Sequence, residues 1–200
     1  EGWFKDNRRR TRIEPHQLPT WYEALQECPS ETIRDYVLLL FLTGLRRSEG
    51  FCLNWNDVDL KAQTFIIRDP KNDKPLDLPM GKALYKMFKK RKEKSNGSEW
   101  VFPGKSKKGH LTEPKKQVLS IAERSGVPFT LHDLRRTFVT LAEGMDISIH
   151  VIKSLVNHSG GPVDKDITSS YIITDTERLR KPMQRIENRL LSLCQLDEAK

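Results

Sequence analysis

Between Ser30 and Gly44 the chain places Ile33, Tyr36, Val37, Leu40 and Phe41 in one strongly apolar helical stretch. A helix of that composition is buried, so the rest of the chain has to be arranged around it. Ser30 supplies its N-cap, and Gly44 can take the left-handed conformation that ends it. Ahead of it, Pro19-Thr20 opens a short helix through Leu25 that stops near Pro29; behind it, Leu45-Arg46-Arg47-Ser48-Glu49 starts the next turn. From Val58 to Pro79 the hydrophobic period shortens. Thr64-Phe65-Ile66-Ile67 is rich in β-formers, Lys71-Asn72-Asp73-Lys74 is turn-like and Leu76-Asp77-Leu78 alternates, which predicts a small antiparallel hairpin or three-stranded sheet with Lys71 at its tip.

Helical spacing then resumes over Lys82 to Lys94, Glu113 to Ser125, the stretch after Thr130, Ile147 to Val156, a short segment from Asp164 to Ile172 bearing Tyr171, and Thr176 to Leu196. The last of these carries a stripe of Leu179, Met183, Ile186, Leu190 and Leu193, which needs somewhere to dock. The expected fold class is therefore α+β, mostly helical, with one small antiparallel β-sheet.

Thr130-Leu131-His132-Asp133-Leu134-Arg135-Arg136-Thr137 is the chemically telling stretch. Thr130 is a good N-cap, and Leu131, Leu134, Phe138, Leu141 and Ala142 mark the buried face. His132 and Arg135 lie one turn apart on the flank of that face. Two such donors repel weakly and are costly to half-bury unless an anion sits opposite them, which makes an anion site the first thing to look for. An isolated pair of this kind usually means a surface Arg beside a core-edge His. The charge balance points the other way: 35 Lys and Arg against 27 Asp and Glu favour a polyanionic partner. Arg8-Arg9-Arg10 and Arg12 read equally well as solvated linker or as a contact to backbone phosphates. Gly104-Lys105-Ser106 looks like the end of a phosphate-binding loop, but Glu99 stands where that motif needs Gly. Lys105, Lys107, Lys108 and His110 are expected to form a mobile basic loop instead.

Cys28, Cys52 and Cys194 have no paired spacing, which argues for a reducing compartment and against a disulfide framework or a zinc site. No apolar run is long enough to cross a membrane and no signal peptide is visible, so the expectation is a cytoplasmic protein with no membrane association. A start at Glu1, without Met, reads as a fragment of a longer chain.

Taken together, Thr43-Gly44-Leu45-Arg46-Arg47-Ser48-Glu49, the hairpin-tip Lys71, His132-Asp133-Leu134-Arg135, Leu155-Val156-Asn157-His158 and Tyr171 resemble the catalytic domain of tyrosine recombinases, in particular phage-type integrases. The resemblance runs from about Pro19 to Arg185. Singly, Tyr171 reads as a core-edge Tyr, His158 as a helix C-cap and Lys71 as a turn lysine; their common order and separation carry the likeness. By that resemblance Arg46 is the first catalytic arginine, Arg135 the second and His132 its histidine partner. Lys71, eight residues before Pro79, matches the β-hairpin lysine, with Lys74 its rival in the same turn. His158 matches a second histidine position, where some relatives carry Trp, and Tyr171 matches the nucleophile. Tyr171 stands thirteen positions after His158, a few more than is commonest, with Gly160-Gly161-Pro162 as the apparent insertion. Glu49 is a candidate support for Arg46.

Attack of a phenol on a phosphodiester builds charge on two non-bridging oxygens, which paired guanidiniums bind in a fork that a lysine cannot reproduce. The phenol, with a pKa of roughly 10, must lose its proton, and the leaving 5′-hydroxyl must gain one. His132 suits the first task and Lys71 the second. The resemblance thus implies a site-specific DNA recombinase working through a 3′-phosphotyrosine link, needing neither metal nor cofactor. Its partners would be double-stranded DNA, a homotetramer of the chain on DNA, and accessory DNA-bending or directionality proteins, with a monomer when free. Residues 1–18 would be a basic linker, 19–175 the catalytic domain, and 176–200 a C-terminal helix and tail open to exchange between protomers. The alternatives are a catalytically silent DNA-binding module and a type IB topoisomerase.

Overall fold

A computed structural model of the chain describes residues 11–68, 75–156 and 176–195. Helix α1 (Leu18–Gln26) leads into α2 (Glu31–Thr43), the element the others surround: nine of its 13 residues are buried. Ser30 Oγ accepts from the Ile33 N–H at 3.4 Å, and Gly44 closes the helix at φ +66°. A side chain at Gly44 would be strained there and would also meet Phe138, whose Cδ1 lies 2.7 Å from the position of a Cβ. The sequence signals at both ends of α2 are therefore obeyed, and the second has a tertiary reason as well as a local one.

A short helix α3 (Arg47–Phe51) follows, then three strands in the order β1 (Val58–Asp59), β2 (Thr64–Ile67) and β3 (Leu76–Pro79), each antiparallel to its neighbour. The register pairs Phe65 with Leu78 and Ile67 with Leu76. Phe65, Ile67 and Leu78 are buried, as alternation requires of a sheet with one face on the core. Helices α4 (Lys82–Glu93), α5 (Lys115–Ser125), α6 (Leu131–Glu143) and α7 (Ile149–Leu155) complete the body, with α6 packed along α2 and α5 along α1. Trp21 ties α1 to its neighbours, 4.8 Å from Phe41 and 5.7 Å edge-on to Phe129 between ring centroids. The α+β, mostly helical expectation matches this architecture.

The final helix α8 (Thr176–Cys194) lies in the same core. Leu179, Met183, Ile186 and Leu190 are at most 1% exposed. At about 1.5–3 kcal/mol per fully buried side chain, the four contribute roughly 6–12 kcal/mol before the entropy of ordering the helix is subtracted. Cys194, not Leu193, completes the stripe: Cys194 is buried and Leu193 only partly so. The docking is also polar. Glu187, 2% exposed, accepts from the N–H groups of Ala83 at 2.8 Å and Leu84 at 3.2 Å, while Gln184 Oε1 accepts from Lys82 N–H at 2.9 Å. The first turn of α4 has no acid of its own, so α8 caps it. A Cβ at Gly81 would run into the Glu187 carboxylate.

At the other end, residues 11–17, read from the sequence as the close of a basic linker, pack on α6. Ile13 is 1% exposed, and its N–H donates to Thr137 Oγ1 at 3.0 Å. Among the described residues no helix is long and apolar enough to cross a membrane.

Candidate active site

The N-terminus of α6 is fixed from several directions. Thr130 caps it, Oγ1 accepting from Asp133 N–H at 3.3 Å. Asp133 Oδ2 reaches back to accept from both the N–H and the hydroxyl of Thr130, each at 2.8 Å. Its Oδ1 accepts from Thr11 Oγ1 at 2.8 Å and from Arg136 Nη1 at 3.1 Å. Burial alone would raise the Asp133 pKa, but these hydrogen bonds outweigh it and hold the carboxyl below its usual range. The result is a rigid platform on which His132 and Arg135 stand.

Arg135 is 7% exposed, and its Nη1 donates to the Gly44 carbonyl at 2.9 Å. That single bond joins α6 to the end of α2 and sets the guanidinium beside Arg46, two residues beyond Gly44. Burial, and then the field of Arg46, push the Arg135 pKa down to about 10, with Glu49 acting the other way. Arg135 still carries its charge at neutral pH, and it has no ion pair among the described residues. A buried cation in that condition is costly unless the site is built to receive an anion.

Arg46 stands at the N-cap of α3, 40% of its side chain exposed. Glu49 holds it twice: Oε2 accepts from the Arg46 N–H and Oε1 from Nη1, both at 2.7 Å. A guanidinium cannot accept, so the reciprocal bond of a true capping box is not made. Glu49 is buried with only 5% of its side chain exposed, which gives it the supporting role expected of it. His132 is exposed at the edge of this pair. Partial burial, then the fields of Arg136 and Arg135, lower its pKa, so the imidazole is neutral and able to accept a proton near pH 7.

Three of the six sequence candidates, Arg46, His132 and Arg135, are thus brought together by geometry. Lys71, its rival Lys74, His158 and Tyr171 lie outside the described residues. The flanks of their segments are placed: β2 and β3 bracket Lys71, and buried Val156, 3.0 Å from a Cβ at Gly44, precedes His158.

Sequence reading overlooked the tie between Thr11 and Asp133, which spans 122 positions and leaves no local signal. It also misplaced His110. In place of a mobile loop, residues 103–110 form a closed turn bridged between Pro103 and His110, with Gly104 N–H donating to Gly109 O at 2.9 Å. His110 is 5% exposed, stacked on Phe51 with centroids 5.4 Å apart and edge-on to Trp100 at 4.9 Å. The two neighbouring aromatics anchor the turn, and only Lys105, Lys107 and Lys108 are left outside.

A buried guanidinium on a carbonyl, a second one on a carboxylate and an imidazole whose pKa is lowered beside them are groups that a tetrahedral anion would need, in a helical domain with one small sheet. The chain belongs to the phage integrase family, whose model matches residues 11–178. Among curated proteins it is 28% identical over 186 residues to the prophage integrase IntF of Escherichia coli K12, covering 90% of this chain and 39% of that protein. It is 32% identical over 159 residues to the tyrosine recombinase XerA of Thermococcus kodakarensis, covering 76% and 54%. The chain therefore spans about half or less of the length of these relatives. Among solved structures it resembles the integrase from mycobacterium phage Brujita, with TM-score 0.67, 19% identity and coverage of 93% and 63%. It also resembles the XerH site-specific recombinase in a pre-cleavage complex with its difH substrate, with TM-score 0.63, 20% identity and coverage of 75% and 47%.

Proposed function

We propose that this chain is the catalytic domain of a site-specific DNA recombinase that cuts and rejoins strands by metal-independent transesterification. The observation that carries the reading is Arg135, a buried cation held on the Gly44 carbonyl next to Arg46. Its charge and fork geometry fit the two non-bridging oxygens of a phosphodiester. The Tyr171 phenol oxygen attacks phosphorus and its proton passes to neutral His132. The bond from phosphorus to the 5′-oxygen breaks, and Lys71 supplies the proton that oxygen needs. His158 is the remaining ligand of the phosphoryl oxygens. The 3′-phosphotyrosine bond keeps the energy of the bond broken, and attack by a second 5′-hydroxyl reverses the steps on a new partner. Double-stranded DNA is the substrate, a homotetramer the working assembly with accessory DNA-bending or directionality proteins, and the cytoplasm the compartment.

The test is a nicked suicide substrate carrying the recognition site, from which the cut strand cannot be religated. The chain is expected to yield a slow-migrating covalent adduct, and Tyr171→Phe none. An adduct formed by Tyr171→Phe removes the nucleophile assignment. Relaxation of plasmid supercoils without sequence preference assigns the chemistry to a topoisomerase instead.

A further inference from the structure

Along one side of α3 runs an array of cations that the cleavage chemistry does not use. Lys105, Lys107 and Lys108 project from the closed turn at 103–110, and Lys115 and Lys116 begin α5; all are exposed. None of the five forms an ion pair among the described residues. The one acid between Pro103 and Lys116 is Glu113, and it is taken: Arg47 Nη1 lies 2.7 Å from its Oε2. Like charges this close repel one another, and the fold holds them together with buried apparatus rather than letting them splay. His110 is sunk between Phe51 and Trp100, its Nδ1 lies 2.7 Å from Leu111 O, and Ser106 Oγ donates to His110 O at 2.7 Å.

The array is tied to the arginine site at both ends of α3. Arg47, next to Arg46, meets Glu113 at the start of the helix; Phe51 meets His110 at its end. Burial raises the pKa of the Cys52 thiol, and the charge of Lys108 acts the other way. A helix of five residues is about 7.5 Å long, so the two ties between the array and the arginine site stand close together.

We propose that the turn bearing Lys105, Lys107 and Lys108, with Lys115 and Lys116 behind it, is a clamp on the phosphates that flank the scissile one. This rests on the recombinase reading above and names the surface that holds DNA while Arg46 and Arg135 act. Contacts of this kind position the duplex and carry no base information, so their loss weakens all sequences alike.

The experiment measures binding of the chain to a duplex carrying its site, and to an unrelated duplex, between 50 and 300 mM salt. The triple variant Lys105→Gln/Lys107→Gln/Lys108→Gln is expected to lower the slope of log affinity against log salt by about 2 to 3, one for each phosphate contact, on both duplexes. A control with the same charge change on α4 and α8, Lys86→Gln/Lys89→Gln/Lys181→Gln, keeps the parent slope. The clamp is overturned if the first triple keeps the parent slope, or if the control loses as much. If the unmodified chain binds neither duplex, the recombinase reading falls and the clamp with it; circular dichroism on each variant excludes unfolding as the cause.

Discussion

The two arginines of the site are held in opposite ways. Arg135 stands on a 13-residue helix whose start is cross-linked by Asp133 to Thr130, Thr11 and Arg136, and it is sunk against a carbonyl 91 positions away. Arg46 stands at the tip of a five-residue helix, half in solvent, leashed by a carboxylate three residues on. Among the described residues, one is placed by the fold and the other by its neighbour. In the proposed reaction they would act as one fixed and one adjustable jaw, whereas two buried arginines would face full desolvation and mutual repulsion in the empty state.

The sharpest way to break that contrast is to exchange the jaws for lysine. Arg46→Lys and Arg135→Lys should each slow single-turnover cleavage by roughly a hundredfold or more, because the charge stays but the fork is lost. Only Arg135→Lys should also unfold earlier, since the Gly44 carbonyl loses its partner inside the protein. Equal melting temperatures for the two variants would remove the distinction between fold-placed and neighbour-placed arginines.

A smaller effect is expected beneath the fixed jaw. Asp133→Asn should cost about 1–3 kcal/mol in urea unfolding, and Glu49→Gln, whose carboxylate holds one residue rather than three and serves the adjustable jaw, the lower part of that range. The pH dependence has a definite sign. The folded pKa of Asp133 is below its unfolded value of about 3.9, so its stabilisation is complete above pH 4 and fades as pH falls through the folded pKa. The advantage of the parent over Asp133→Asn should shrink there; a gap unchanged to pH 2 contradicts the network.

Smallest is a shift in titration. In the free protein His132 should titrate below the ordinary value of about 6.5, and Arg136→Gln should move its midpoint upward, as removing one of the cations that depress it requires. Nuclear magnetic resonance of the imidazole resolves this. A midpoint above 6.5 would mean that the empty site does not keep its base neutral.

What the sequence disclosed and what it hid divide along the same line. Ser30, Gly44 and Thr130 were legible because a cap acts over three or four residues and its chemistry is written next to the helix it ends. Arg46, His132 and Arg135 were legible as residue types in motifs, together with Glu49 one turn away. Hidden were Thr11 on Asp133, Glu187 on α4 and His110 between two aromatics, all polar groups that find their partners across the fold. Periodicity reports which face of a helix is apolar, but not which distant backbone will satisfy a buried carboxylate. The stripe on α8 shows the limit: its existence was plain, while the choice between Leu193 and Cys194 was decided by the groove that receives it.

The cap that α8 places on α4 has a consequence for how such a chain is made. The N–H of Ala83 waits for an acceptor 104 positions downstream, and the apolar groove beside it waits for Leu179 to Leu190. During synthesis, everything from α1 through α7 leaves the ribosome before the carboxylate that completes α4 does. Closure of the core is thus a late, long-range event, of the kind that slows folding and leaves a nascent chain exposed to misassembly.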